Sequence, residues 1–170
     1  EMGSDPDREP PFFFLKPSGA VVPGGGRVSY PPGTKNLHHE IELVVAIYKT
    51  GFRIPVEKAL DYIYAYAVGL DMTRRDLQKE AREKGRPWDF GKAFDQSAPI
   101  SYLHPVASHG HHSSGDISLA VNGQMKQKSN LENMIWSVPE TIAVLSEYYT
   151  LREGDLIFTG TPAGVSAVER

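Results

Sequence analysis

The sequence predicts a β-rich α+β fold, in which short strands and a few helices are mixed without a regular period. Strand-sized runs of Val, Ile and aromatic residues are separated by segments rich in Pro and Gly, which favour turns. Helix-start signals occur, but none lies in a repeated strand–helix–strand unit. The 170 residues suit one domain with a core of ordinary size, so residues 1–170 are interpreted as a single domain.

The composition indicates a globular protein whose partner is a small molecule. Hydrophobic residues make up 40% of the chain, charged residues 23%, and the formal net charge is -3. Basic and acidic side chains are well mixed, so no basic face for nucleic acid is expected. No apolar run approaches the roughly 18 residues that span a bilayer. The absence of cysteine excludes disulfides and thiolate metal sites, and it fits a cytoplasmic protein.

The beginning of the chain is predicted to be mainly loop, because much of the Pro and Gly lies in residues 1–36. A short apolar strand is expected at residues 12–15. The glycines at 24–26 are interpreted as a plain loop and not as a phosphate-binding loop, since no helix follows them. Residues 39–48 are rich in Val and Ile and predict a strand.

The middle of the chain predicts two helices. The first begins at Pro55, because apolar residues follow it at helical spacing: Val56, Ala59, Leu60, Ile63 and Ala67. A short apolar stretch at residues 66–70 then leads to Asp71. Thr73 and Asp76 have the spacing of a capping box, which predicts the start of a polar helix.

The last part of the chain predicts a hairpin, a helix and a final strand. Alternating apolar residues run into Asn122-Gly123, a dipeptide typical of tight hairpin turns. Ser137 and Glu140 have the spacing of a helix start. That helix is expected to place three apolar side chains on one face: Ile142, Leu145 and Tyr149. Residues 156–159 form a strand that leads into Gly160-Thr161-Pro162.

Glu40 and Glu42 form the most informative pair. Side chains two apart in a strand point to the same side, with Cα atoms about 6–7 Å apart. Two carboxylates there repel each other, and each loses solvation inside an apolar strand. A hard divalent cation bound between them would offset both costs. A half-exposed strand with a polar face is the alternative, and the pair alone favours it. The residues that alternate with the pair are expected to face the core: Ile41, Leu43, Val45 and Ile47.

Asp71 shifts the balance towards a metal site. It lies where an apolar segment stops and a helix starts, a common place for a functional side chain, although an acid favoured by the helix dipole is an alternative. With Glu40 and Glu42 it would leave Mg²⁺ or Mn²⁺, or Ca²⁺, open positions for water and a chelating substrate. Three histidines lie in a Gly/Ser loop, where solvated imidazoles are expected: His109, His111 and His112.

Five motifs then occur in order along nearly the whole chain, at residues 38–43, 70–78, 85–88, 92–95 and 158–165. Together they resemble the fumarylacetoacetate hydrolase superfamily, and most closely its short members, the fumarylpyruvate and acylpyruvate hydrolases. The resemblance implies a mixed, strongly twisted β-roll with a few flanking helices, usually assembled as a homodimer.

The resemblance also implies roles for individual residues. The implied metal ligands are Glu40, Glu42 and Asp71. The implied contacts to the substrate's carboxylate and keto oxygens are Arg75, Gln78 and Thr161. Lys92 would stabilise an oxyanion. From the residues alone, Arg75 is better explained by a helix-surface salt bridge. An ordinary turn is the alternative for Thr161, and solvation is the alternative for Lys92.

Glu1-Met2 resembles the end of a His-x-x-Glu-Met run, whose His–Glu pair activates water in this family. The histidine would lie three positions before Glu1, and the family continues for several strands beyond Gly164-Val165, so the chain is expected to be trimmed at both ends. Glu1 would orient the missing histidine, or it is frayed and inert.

The implied function is metal-dependent hydrolysis of a carbon–carbon bond in a 2,4-diketo acid. Fumarylpyruvate, which gives fumarate and pyruvate in the breakdown of aromatic compounds, is the favoured substrate. One alternative is a decarboxylase or isomerase of a related keto acid that acts through a metal-bound enolate. Others are a non-catalytic β-rich metal-binding domain and an inactive fragment.

Overall fold

The computed structural model describes residues 9–169 and confirms the β-rich α+β fold. The strands of these residues are β1 (Val21–Val22), β2 (Leu37–His39), β3 (Ile41–Ile47), β4 (Ile63–Leu70), β5 (Thr73–Arg74), β6 (Ala98–Pro99), β7 (His104–Pro105), β8 (Asp116–Val121), β9 (Gln124–Asn130), β10 (Leu156–Phe158) and β11 (Ser166–Ala167). The α-helices are α1 (Arg75–Glu83), α2 (Asp89–Lys92), α3 (Val106–His109) and α4 (Val138–Tyr148). Short 3₁₀ helices occur at Ser18–Ala20, Pro23–Gly25, Val56–Tyr62 and Leu131–Asn133. None of these helices is long and apolar enough to cross a membrane.

The largest sheet has the antiparallel strand order β10-β3-β4-β7, and a second has the order β11-β2-β5. The hairpin of β8 and β9 forms a third sheet, while β1 and β6 pair in parallel. The main core lies on one side of β3, where α4 covers it with the fully buried Ile142. As predicted, the β3 residues in this core are Ile41, Leu43, Val45 and Ile47.

The chain passes between the two larger sheets at two adjacent points. It leaves β2 at His39 and enters β3 at Ile41, so Glu40 lies in the break. It leaves β4 at Leu70 and enters β5 at Thr73, so Asp71 lies in the second break. The backbone N–H of Asp71 donates to the carbonyl oxygen of Glu40 at 2.8 Å. The single strand predicted at residues 39–48 is therefore two strands, and the break places two acids side by side.

The strand predicted at residues 12–15 is wrong, since this segment belongs to no strand of the described chain. Pro11 and Pro17 flank it and cannot donate ladder hydrogen bonds. The rings of Phe12 and Phe14 instead pack against Trp88, at centroid distances of 5.5 and 6.1 Å. Aromatic packing, and not strand pairing, fixes this segment.

The helix predicted from Pro55 is short and of the 3₁₀ type, because Val56–Tyr62 ends where β4 begins. Ile63 and Ala67, which were assigned to it by spacing, are strand residues that pair with Ile47 and Val44 of β3. A spacing of four places two side chains on one face of a strand as well as of a helix. The long antiparallel pairing with β3 decides between them.

The capping box predicted at Thr73 and Asp76 is also wrong, although α1 does begin there. The residue that precedes α1 is Arg74, and its side chain caps nothing. The carboxylate of Asp76 accepts hydrogen bonds from the Thr34 hydroxyl at 2.6 Å and the Lys35 N–H at 2.9 Å. Asp76 therefore fixes the preceding loop against α1, and the Thr73 side chain is left for another contact.

The hairpin and the last helix are confirmed. Asn122 and Gly123 have φ values of 52° and 79°, the left-handed conformation that a tight hairpin turn needs. The Ser137 N–H donates to the Glu140 carboxylate at 2.8 Å, and the Glu140 N–H donates to the Ser137 hydroxyl, which completes a capping box. Tyr149 departs from the prediction: it follows the last turn of α4 and is 48% exposed.

Candidate metal and substrate site

Three carboxylates converge at the two breaks between the sheets. One oxygen from each of Glu40, Glu42 and Asp71 lies within 4.8 Å of the other two. The residues are only 6%, 5% and 2% exposed, so the half-exposed polar face considered from the sequence is ruled out. Carboxylate oxygens at this separation can contact one hard divalent cation.

Glu42 has the least compensated charge of the three acids. Its Oε2 accepts a hydrogen bond from the Gly160 N–H at 2.8 Å, and no ion pair to it occurs among residues 9–169. Burial raises the pKa of Glu42 to about 8, and the carboxylates of Asp71 and Glu40 add to this rise. A cation beside this side chain would remove much of the cost of ionising it.

Lys92, at the end of α2, lies within the acid cluster and is 2% exposed. Its Nζ donates to Glu40 Oε2 at 2.8 Å, to Asp71 Oδ2 at 2.5 Å and to the Thr73 hydroxyl at 2.6 Å. All three N–H groups are therefore engaged. Burial opposes ionisation of Glu40, but the charges of Lys92 and Arg75 outweigh it and lower the pKa of Glu40.

Lys16 and Thr73 belong to this site and were missed by the sequence reasoning. The Nζ of Lys16 lies 2.8 Å from Asp71 Oδ1 and donates to the Lys92 carbonyl oxygen at 2.5 Å. Burial raises the pKa of Asp71, and the two lysines oppose the rise. In the sequence, Lys16 stands out only by its position directly after an apolar run, and the spacing of Thr73 and Asp76 indicates a helix cap.

Arg75 and Gln78 extend the site along the first turn of α1. The Arg75 guanidinium donates to Glu40 Oε1 and, at 2.5 Å, to Gln78 Oε1. Gln78 is 6% exposed. The ion pair of Arg75 therefore points into the acid cluster, and it is not the helix-surface salt bridge that the sequence alone favoured.

Thr161 lies in the turn that reaches Glu42, directly after Gly160. Its hydroxyl accepts a hydrogen bond from Gln127 Nε2 at 2.8 Å. The three histidines considered from the sequence do not belong to the acid cluster. All three are exposed, as expected, although His109 is the last residue of α3 and does not lie in the loop. Glu1 lies outside the described residues.

The donor set suits a hard divalent cation. It consists of carboxylate oxygens, and no imidazole or sulfur belongs to it. Burial raises the pKa values of both Glu42 and Asp71, so a cation beside them would ease their ionisation. Positive charge from Lys16, Lys92 and Arg75 beside the acids would at the same time attract an anionic ligand.

Comparison with known proteins connects this geometry to a family. The profile of the fumarylacetoacetate (FAA) hydrolase C-terminal family matches residues 1–170. A fumarylpyruvate hydrolase of Ralstonia sp is 52% identical over 169 residues, which cover 98% of this chain and 88% of the relative. The mitochondrial oxaloacetate tautomerase of Rattus norvegicus is 44% identical over 159 residues, covering 94% of this chain and 72% of the relative.

A solved structure agrees with these relatives. The crystal structure of fumarylpyruvate hydrolase from Pseudomonas aeruginosa in complex with Mn²⁺ and pyruvate superimposes with a TM-score of 0.96 and 57% identity. The match covers 99% of this chain and 74% of that protein. The chain therefore belongs to the fumarylacetoacetate hydrolase family.

Proposed function

We propose that this protein is a divalent-metal-dependent enzyme that hydrolyses a carbon–carbon bond in an acylpyruvate, with fumarylpyruvate as the substrate. The observation that carries the proposal is the buried convergence of Glu40, Glu42 and Asp71 beside Lys92. The identity to fumarylpyruvate hydrolases of Ralstonia sp and Pseudomonas aeruginosa supports the choice of reaction and substrate.

The three acids are proposed to hold Mg²⁺ or Mn²⁺, and the Mn²⁺ in the Pseudomonas aeruginosa enzyme supports a cation of this class. An ion held there would polarise the keto oxygen of the substrate and neutralise negative charge that develops on it. The carboxylate of the substrate suits the Arg75 guanidinium, whose planar fork can hold two carboxylate oxygens. Gln78 orients that fork through its Oε1.

Lys92 is proposed to stabilise the oxyanion that forms when water attacks the distal carbonyl. Since its three N–H groups are engaged with Glu40, Asp71 and Thr73, it must exchange one of these partners to reach the substrate. The Thr73 hydroxyl is the neutral partner, so releasing it leaves both ion pairs intact. Thr161 is proposed to contact the substrate from the turn beside Glu42.

A second reaction has support from one comparison. The oxaloacetate tautomerase of Rattus norvegicus is 44% identical to this chain. An isomerase of this kind needs the same carboxylate-binding and keto-oxygen-binding groups, but it breaks no carbon–carbon bond. Product analysis separates the two reactions.

The test is turnover of fumarylpyruvate and of oxaloacetate, each with Mn²⁺ or with excess chelator. We expect fumarate and pyruvate to form in equal amounts, and only when metal is present. Cleavage that continues at full rate in chelator would refute the metal requirement. Rapid keto–enol exchange of oxaloacetate, with fumarylpyruvate left intact, would establish the tautomerase instead.

We also propose that the single domain of residues 1–170 works as a homodimer in the cytoplasm. Large apolar side chains on the surface support a covered face, since Phe12, Leu15 and Phe90 are 60%, 68% and 82% exposed. The lack of cysteine suits a reducing compartment. Sedimentation equilibrium is expected to give the mass of two chains, and a monomer at micromolar concentration would contradict the dimer.

A further inference from the structure

Gln127 is a buried polar residue of β9 to which the proposed reaction gives no role. It is 1% exposed, and its side-chain amide is fully used. Its Oε1 accepts from the Ile41 N–H at 3.0 Å and lies 2.8 Å from His39 Nδ1. Its Nε2 donates to the Thr161 hydroxyl at 2.8 Å and to the Pro162 carbonyl oxygen at 2.9 Å.

These partners fix the orientation of the amide. A backbone N–H can only donate and a carbonyl oxygen can only accept, so Oε1 must face Ile41 and Nε2 must face Pro162. The Nδ1 of His39 then carries the proton that it shares with Oε1. In a neutral His39, the Nε2 accepts from the Ser166 hydroxyl, which lies 2.9 Å away. The network therefore has one consistent set of donors and acceptors.

The same amide contacts two chain segments that border Glu42. Ile41 lies between Glu40 and Glu42 in the chain, so one hydrogen bond holds the strand that carries Glu42. Thr161 directly follows Gly160, whose N–H donates to the Glu42 carboxylate, so the other side holds the turn that contacts it. One side chain thus contacts both the strand that carries Glu42 and the turn that donates to the Glu42 carboxylate.

Gly164 gives a second, independent sign that this turn is held against β9. Its φ is +99°, and a Cβ placed there would lie 2.2 Å from the carbonyl oxygen of Lys126. Only glycine permits so close an approach of the two backbones at the residue before Gln127.

We propose that Gln127 is a positioning residue for the metal and substrate site, which acts by clamping the Gly160–Pro162 turn to the start of β3. The inference rests on the proposed function for its effect on turnover. It differs from a merely stabilising role, because it predicts local changes at Gly160 and in metal affinity that a general loss of stability does not produce.

Four variants of the full-length protein test the clamp. Gln127→Leu removes every hydrogen bond of the amide, whereas an ionised Gln127→Glu keeps the two acceptor contacts and loses both donations. Gln124→Leu makes the same change at an exposed position of β9. Ser146→Ala removes a buried hydrogen bond to the Ile54 N–H elsewhere in the fold and controls for lost stability.

The first readout is amide hydrogen exchange, which needs no activity. The exchange rate of each amide is divided by its rate in the wild type. For Gly160 and Ile41, this ratio should be roughly tenfold higher in Gln127→Leu than in Ser146→Ala. In Gln127→Glu, only the Gly160 amide should exchange faster. Gln127→Glu also keeps the proposal testable if Gln127→Leu does not fold. Equal exchange at Gly160 in both Gln127 variants and in Ser146→Ala would overturn the proposal.

The second readout is Mn²⁺ affinity, with kcat and KM for fumarylpyruvate. Both Gln127 variants should bind Mn²⁺ several-fold more weakly and lose roughly tenfold in kcat/KM, while Gln124→Leu and Ser146→Ala should match the wild type. Unchanged Mn²⁺ affinity and kcat/KM would refute the positioning role. If the wild type does not cleave fumarylpyruvate, the proposed function fails, and amide exchange and Mn²⁺ affinity still decide the role of Gln127.

Discussion

Glu42→Gln is expected to abolish metal-dependent cleavage of fumarylpyruvate in a protein that remains folded. Gln can still accept the Gly160 N–H, but it removes the charge of one proposed metal ligand. The ion contributes several kcal/mol of charge stabilisation, so kcat/KM should fall by at least about 100-fold. The matched control is Glu57→Gln, which makes the same change at an exposed position. Wild-type Mn²⁺ affinity and turnover in Glu42→Gln would contradict the assignment.

The same variant has a second expected result, in the metal-free protein. The pKa of Glu42 rises from an ordinary 4.5 to about 8 in the folded state, so the folded state holds this proton more tightly. Stability of the metal-free wild type should therefore fall as the pH rises from about 4.5 to 8. Glu42→Gln should lack this part of the decline. Urea unfolding across that pH range, in the presence of chelator, measures the difference.

Lys92→Met is expected to lower kcat by about 10²–10³-fold, the usual effect of losing an oxyanion donor. It should also destabilise the metal-free protein by about 3–5 kcal/mol, because Glu40 and Asp71 lose a buried cationic partner. Added Mn²⁺ should restore much of the stability, since it supplies positive charge, but it should not restore kcat.

The measurement is kcat at saturating Mn²⁺, together with thermal unfolding with and without the ion. Lys79→Met is the control, because the Lys79 side chain is 75% exposed. An unchanged kcat in Lys92→Met would mean that the lysine only neutralises the acids. A kcat that recovers with stability would lead to the same conclusion.

The parts of the fold that the sequence predicted correctly have local signals. The Asn122-Gly123 turn and the capping box of Ser137 and Glu140 each depend on residues at most three positions apart. The prediction failed where two structures share one pattern, since the four-residue spacing of Ile63 and Ala67 fits a strand and a helix equally. Only the pairing partner decides that case, and it lies elsewhere in the chain.

The residues of the site likewise divide into those with a local sequence signal and those without one. Glu40 and Glu42 stand two apart, so their joint direction could be argued from the strand pattern. Asp71 could be placed beside them with assurance only through the family resemblance, because its hydrogen bond to Glu40 joins two separate breaks in strands. The hydrogen bond from the Ile41 N–H to Gln127 joins residues that are 86 positions apart, and no local sequence pattern predicts such a contact. Lys16 was missed for the same reason.

The two breaks at Glu40 and Asp71 give an ion at this site a mechanical role as well. At each break the backbone passes from one sheet to the other, so an ion bound to Glu40 and Asp71 would crosslink the two sheets. The loaded protein would then open as one cooperative unit. In the metal-free protein, the small sheet of β2, β5 and β11 would unfold locally before the rest of the domain. Its backbone would then be open to proteolytic cleavage.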